Sequence, residues 1–241
     1  MKYLYLPCVA IFYLFFSAFS LGQSSLNTLD CLLEPNKEIE LSSPVQGVVE
    51  KVFVNRGEKI KKGQLLLSLQ ADLEKAQVEL AKARADFGKR TQSRNNDIEN
   101  LISGHEKDEI ETDAKLAQLE LAEAMARLEQ KHIYSPIDGF VIDRLRLEGE
   151  YVSDEPVLKL ANISPLYVDV IAPVDYFGKI RLGQTAFISP EQPVGGKYEA
   201  TVETIDPVID AGSGTFRMRL ILPNENEELP SGLRCQIHFE K

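Results

Sequence analysis

The side chains able to do chemistry in this chain are few and scattered. Its three histidines, His105, His132 and His238, lie far apart, and no cluster of His, Cys, Asp or Glu has the spacing of a metal site. Nucleophile-elbow, phosphate-loop and dinucleotide patterns do not occur. The sequence therefore offers no catalytic, metal-binding or cofactor-binding set, and no enzyme is expected. Cysteine is the exception. Cys8 lies in an apolar leader, which leaves Cys31 in Leu29-Asp-Cys-Leu-Leu and Cys235 in Leu233-Arg-Cys-Gln-Ile-His-Phe, both in strand-like segments. Two such cysteines suit either a disulfide in an oxidising compartment or two separately buried thiols.

The elements that position these residues are organised by a repeat. Residues 43 to 70 and 135 to 162 align without a gap at an offset of 92: Ser43 with Ser135, Pro44 with Pro136, Gly47 with Gly139, Val49 with Val141, Gly57 with Gly149, Glu58 with Glu150, Leu66 with Leu158. Each copy reads as a β half-unit punctuated by turns, with Gly47, Gly57, Gly139 and Gly149 expected at equivalent turns. A half-unit cannot close a core alone, so the two must meet in space. Biotin or lipoyl carrier domains have such halves joined by a tight hairpin with an attachment lysine at its tip. Here Leu69-Gln70-Ala71-Asp72 runs into helical pattern at that place, and Lys75 and Lys131 fall within or at the end of helix.

Between the halves, Leu73, Ala76, Leu80, Ala83 and Phe87 recur three and four apart, the a/d seam of a coiled coil, and a second run gives Ile110, Ala114, Ala117, Leu121, Ala124 and Leu128. Turn formers gather around Asn95-Asn96 and Ser103-Gly104. Two antiparallel helices of about 28 residues, roughly 40 Å long, are expected, with reversal near 102 to 105 and little groove along an Ala-rich shaft.

Residues 165 to 241 carry β-branched and aromatic runs separated by turn residues and read as strands; Tyr176 to Leu182, between Pro173 and Gly183, reads as a short helix. Residues 3 to 21 are almost wholly apolar, preceded by Lys2 and followed by small residues, which fits a signal peptide better than an uncleaved anchor; no lipoprotein cysteine follows. A formal net charge of −10 disfavours nucleic acid as a partner.

The motifs Ser43-Pro-Val-Gln-Gly-Val-Val, Arg56-Gly-Glu-Lys-Ile-Lys-Lys-Gly-Gln-Leu-Leu, Tyr134-Ser-Pro-Ile-Asp-Gly-Phe-Val and Glu148-Gly-Glu-Tyr-Val, around a helical insertion, resemble the hemolysin-D-like membrane fusion proteins, the periplasmic adaptors of bacterial tripartite efflux and secretion systems. The resemblance implies a mostly β chain with a long antiparallel α-helical hairpin, a split lipoyl-like β-sandwich and a β-barrel. The expected segments are a signal peptide at 1–22, barrel at 26–40 and 164–241, lipoyl-like domain at 41–70 and 133–163, and coiled-coil hairpin at 71–132. It implies neighbouring first and last barrel strands, hence a Cys31–Cys235 disulfide. It also implies a hairpin tip that meets an outer-membrane channel through Arg94, Ile98, Leu101 and Ser103, although the Ile98-to-Ser103 interval is five where the family has seven. The remaining expected partners are an inner-membrane transporter, of the resistance-nodulation-division or ATP-binding-cassette type, and further copies of the chain. The family's larger members carry a membrane-proximal domain beyond the barrel, so the sequence reads as a short form, located in the periplasm against the inner membrane. A carrier subunit and a free-standing periplasmic structural protein are the alternatives.

Overall fold

The computed structural model describes residues 28–96 and 103–239; the expected signal peptide at 1–22, Ile98 and Leu101 lie outside them. The described residues are mostly β, with two α-helices. Strands β1 (Leu29–Ser42), β2 (Gly47–Val52), β3 (Lys59–Ile60) and β4 (Leu65–Leu69) lead into α1 (Asp72–Asn96) and α2 (Gly104–Glu129). After them come β5 (His132–Tyr134), β6 (Gly139–Arg144), β7 (Tyr151–Val152), β8 (Pro156–Pro173), β9 (Thr185–Pro190), β10 (Tyr198–Ile205), β11 (Thr215–Leu222) and β12 (Arg234–Phe239).

Six strands close a barrel in the order β1-β12-β9-β10-β11-β8, with β8 returning to β1. The alternation that makes them strands is plain in β11, where Phe216, Met218, Leu220 and Leu222 are buried and Arg217 and Arg219 face outward. Leu33, Leu166, Val168, Ile188 and Ile237 complete a core of fully buried side chains, each stabilising the fold by about 1.5–3 kcal/mol relative to exposure. A 3-10 turn at Val174–Tyr176 stands where a helix over Tyr176 to Leu182 is expected from sequence. Gly178 and Gly183, both at φ 78, take left-handed conformations that end any helix there.

The second body is a sandwich built by the repeat, and its two halves exchange bonds reciprocally. Val49 N donates to Glu150 O (2.8 Å) and Val141 N to Glu58 O (3.0 Å); Gly57 N donates to Val141 O (2.8 Å) and Gly149 N to Val49 O (2.9 Å). Strand pairing obeys the same exchange: Gly47 opposes Val152 while Gly139 opposes Ile60. Gly57 (φ 81) and Gly149 (φ 88) occupy equivalent turns, and Glu58 and Glu150 each accept from the backbone N–H three residues earlier, at 2.9 and 3.1 Å. Gly47 and Gly139 are instead the first residues of β2 and β6. Gly139 is required there, since a Cβ would stand 2.1 Å from Ala161 O. Val49, Leu66, Leu69, Ile133, Val141 and Leu158 share this core. Strands β1 and β8 run through both bodies, with a bulge between Pro35 and Lys37.

Candidate functional site

Among the described residues the hairpin is the most exposed region and the only α-helical one. Asp72 and Glu74 lie in the first turn of α1, where negative charge suits the helix dipole, and Ser103 caps α2, its hydroxyl accepting from Glu106 N at 3.2 Å. The helices run antiparallel: Arg84 pairs with Glu120 at 3.4 Å, and at position 88 a Cβ would stand 3.1 Å from Ala114 Cα.

The seam expected from sequence is right on α2 and displaced by one to two residues on α1. On α2, Ala114 is buried, and Ile110, Ala117, Leu121, Ala124 and Leu128 are half-buried. On α1 the buried face is Ala81 and Ala85, with Glu74, Val78 and Gly88 half-buried, while Leu73, Leu80 and Phe87 are 68%, 58% and 60% exposed. The cause is the close approach of the two backbones at Gly88, which admits Ala and Gly and pushes the larger side chains outward. Shallow grooves flank the shaft, one of about 220 Å³ along Leu80 and Ala124 and one of about 250 Å³ beside Phe87 and Ile110, where the sequence suggested little groove.

At the tip, Arg94 is exposed, its guanidinium 3.5 Å from Thr91 Oγ1. Ser103 is exposed too, with its hydroxyl spent on the cap. The hairpin root holds a contact that sequence reasoning missed: Lys131 Nζ lies 3.1 Å from Glu74 Oε1 and 3.4 Å from Gln46 O. Both side chains are largely buried. Burial opposes the Glu74 charge, but its own backbone N–H and the Lys131 ammonium outweigh it and hold the carboxyl below its usual range. No local pattern links residues 46, 74 and 131, so no sequence signal was available.

On the barrel, Cys31 and Cys235 oppose one another across β1 and β12 and form a disulfide with Cα atoms 4.8 Å apart. Outside the wall, Arg219 grips Asp169 with two bonds (2.7 and 3.1 Å) and lies over the Tyr167 ring. Burial works against the Asp169 charge, but Arg219 keeps that carboxyl low. Burial, then the Asp169 charge, raises neighbouring Glu34. Among the described residues no group of three or more His, Cys, Asp or Glu could hold a metal, and no helix is long and apolar enough to cross a membrane.

Residues 37–162 match the CzcB-like barrel-sandwich hybrid domain, and 165–241 the CusB-like beta-barrel domain. The chain is 26% identical to an uncharacterized protein of Haemophilus influenzae, over 86% of this chain and 56% of that one. It is also 26% identical to the multidrug resistance protein MdtE of Escherichia coli K12 (89% and 64%) and to the multidrug resistance protein MexA of Pseudomonas aeruginosa (80% and 55%). It thus spans between about half and two thirds of the length of these relatives. Among solved structures, a MacA-MexA chimera carrying the Pseudomonas aeruginosa MexA α-hairpin superposes with a TM-score of 0.77 at 20% identity, covering 89% of this chain and 81% of the other. Together with the sandwich whose halves flank a helical hairpin and the closed barrel beside it, these matches place the chain in the membrane fusion protein family, the periplasmic adaptors of efflux systems.

Proposed function

We propose that the chain is the adaptor subunit of an envelope-spanning efflux or secretion assembly. In this reading it stands in the periplasm against the inner membrane and links a transporter of the resistance-nodulation-division or ATP-binding-cassette type to an outer-membrane channel. The observation that carries it is the placement of the hairpin. Gln70 N bonds to Val48 O and Lys131 Nζ reaches Gln46 O, so the hairpin is rooted at the far end of β1 from the barrel residues Leu29 to Leu33. Fourteen strand residues, at about 3.3 Å each, separate the two ends, and different partners can be held at each.

The tip, Arg94 with Ile98, Leu101 and Ser103, is the proposed channel contact, with Arg94 and Ile98 as its principal residues. A carrier reading would need a lysine presented on a tight turn between the halves; the lysine nearest that place, Lys131, is engaged by Glu74 and Gln46.

Assembly of several copies into a ring is part of the proposal. Leu73, Ala76, Leu80, Ala83 and Phe87 form a second a/d stripe on α1 that the hairpin leaves exposed. In addition, α1 carries six basic against four acidic residues and α2 three basic against eight acidic. Packing α1 of one copy on α2 of the next is a heterologous contact, the kind that closes into rings.

The test places a photo-crosslinking residue at position 94 or 98 in cells. Crosslinks to an outer-membrane channel are expected, and Arg94→Asp with Ile98→Asp should abolish channel association and transport at unchanged protein level and circular dichroism. Unchanged channel crosslinking and efflux in that double variant would remove the tip as the contact.

A further inference from the structure

The buried apolar side chains of the barrel and of the sandwich form two separate cores, so no common core sets the angle between the bodies. Strands β1 and β8 carry the chain across, and their pairing breaks at the joint. Pro35 opposes Leu166 and Lys37 opposes Asn162, which leaves Asn36 alone against residues 163–165. A bulge of this kind bends a ribbon and interrupts its ladder. Within it, Asn36 Oδ1 is buried and has no hydrogen-bond partner among the described residues. Two strands interrupted in this way join the bodies without fixing how one is turned against the other.

A barrel loop reaches across this joint. Connection 223–233, between β11 and β12, is anchored on the barrel side. Buried Asn224 donates through Nδ2 to Ile163 O and Leu229 O (both 2.9 Å) and accepts from Leu229 N (3.1 Å), and Gly232 N donates to Leu33 O (2.7 Å). From this braced loop Glu227 extends to the sandwich, where its Oε2 lies 2.5 Å from Lys59 Nζ. Lys59, in β3, also stands over the ring of its cross-strand neighbour Phe140, at 6.0 Å.

Two independent observations single this pair out. Among the described residues Glu227 is the one residue other than glycine with a positive φ, 57. That left-handed conformation is unfavourable for a glutamate, and such a conformation persists where the surroundings hold it for a use. The repeat supplies the second observation. Lys59 aligns with Tyr151 at the offset of 92, and the Tyr151 hydroxyl bonds within the sandwich, to Gln46 Oε1 (2.9 Å). The lysine stands in the half that meets the barrel loop.

We propose that Lys59 and Glu227 form a latch that holds the barrel and the sandwich at one angle, and that opening it lets the barrel swing about the bulged β1–β8 ribbon. The Lys59 side chain is 61% exposed and that of Glu227 19%, so salt reaches the pair and its strength is modest. Modest strength suffices, because the ribbon already joins the bodies and the latch has only to select among their orientations. The hairpin is rooted in the sandwich, so the angle at this joint sets where the hairpin points relative to the barrel. The inference concerns these two bodies alone and holds whether or not the hairpin tip meets a channel.

The test uses the full chain with Cys8→Ser, Leu147→Cys on the sandwich and Val208→Cys at the barrel end remote from it, both positions being exposed. The two new cysteines are spin-labelled while Cys31–Cys235 stays oxidised. Pulsed electron–electron resonance at low salt should give one narrow distance distribution. Glu227→Gln should lose it, giving a broad distribution at unchanged circular dichroism, and Glu227→Gly, which relieves the left-handed backbone, should broaden it as well. Glu228→Gln, next in the loop, should keep it, and exchanging the pair, Lys59→Glu with Glu227→Lys, should restore it. Sodium chloride at about 1 M, where the screening length is ~3 Å, should broaden the distribution of the labelled parent and leave that of Glu227→Gln as it is. A narrow, unaltered distribution in Glu227→Gln overturns the proposal, as does a parent that salt does not affect or an exchanged pair that stays broad. Crosslinking at position 94 reads a partner contact, so its failure is distinguishable from failure here.

Discussion

The barrel and the hairpin solve the same burial problem in opposite ways. The barrel closes its sheet, fills it with Leu, Ile, Val, Phe and Met, and locks β1 to β12 with a disulfide. Among the described residues the hairpin fully buries only Ala81, Ala85 and Ala114, and on α1 it turns Leu73, Leu80 and Phe87 outward. A body with a closed core of large apolar side chains can persist alone, whereas a hairpin that fully buries methyl groups and exposes Leu73, Leu80 and Phe87 is built to be completed by something else.

Cutting the disulfide should produce the largest effect on this contrast. With a sequence separation of 204, the crosslink contributes about 5 kcal/mol in the chain-entropy picture. Cys31→Ser with Cys235→Ser should therefore lower the denaturant midpoint of the β transition while leaving helical circular dichroism in place at low denaturant. An unchanged midpoint would mean that the barrel does not depend on this tie.

Next in size is Ala114→Glu, which sets a carboxylate against Gly88 where the backbones nearly touch. A loss of about 2–3 kcal/mol, with the helices separating and the barrel transition unaffected, is expected from hydrogen exchange along both helices. Leu80→Asp, on the exposed stripe, should stay within about 0.5 kcal/mol for the isolated subunit while weakening association between copies in sedimentation. If Leu80→Asp melts the hairpin instead, the assignment of the two stripes is reversed.

Acid should loosen the hairpin root. The Glu74 carboxyl is held below its usual value of 4.5, so its contribution is fully present above that pH and is lost as pH falls through the lower, folded-state value. Protection of the backbone amides at Glu74 and Lys131 should fall across that window in wild type and stay flat in Glu74→Gln. Removing the α2 cap with Ser103→Ala is the smallest of these changes, about 1 kcal/mol, visible as increased fraying at Gly104 to Lys107; an unaltered first turn would free Ser103 for another role.

Much of this arrangement can be read from sequence because the repeat is gapless. Identical residues at one offset impose identical turns, and Gly57 and Gly149 with their following glutamates keep that correspondence down to single hydrogen bonds. The α1 face was harder to read for a reason inherent in tight packing. Helix α1 carries two stripes one to two residues apart, and hydrophobicity favours the one with Leu and Phe, whereas a backbone approach as close as Gly88 on Ala114 favours the one with Ala and Gly. Helix α2 shows no such conflict, since Ala114, Ala117 and Ala124 are both small and in register. Tyr176 to Leu182 reads as helix between Pro173 and Gly183, but Gly178 inside it takes a left-handed conformation and interrupts it. The Glu74–Lys131–Gln46 contact joins three distant positions and leaves no local trace.

The reciprocal bonding of the sandwich halves bears on the order in which the chain can acquire its shape. When residues 43 to 69 leave the ribosome, the partners of Val49 and Gly57 are still unsynthesised, so the first half waits with open strand edges. Direct closure would have to bridge some sixty residues of slack chain. Helices form from near-neighbour contacts, and once α1 folds back on α2 the ends at Gln70 and Lys131 are already side by side. The remaining loop-closure cost then becomes that of a few residues. A hairpin formed first would hold the two halves together as a splint, and weakening its seam should then slow appearance of the β core in refolding kinetics more than it lowers the final stability of that core.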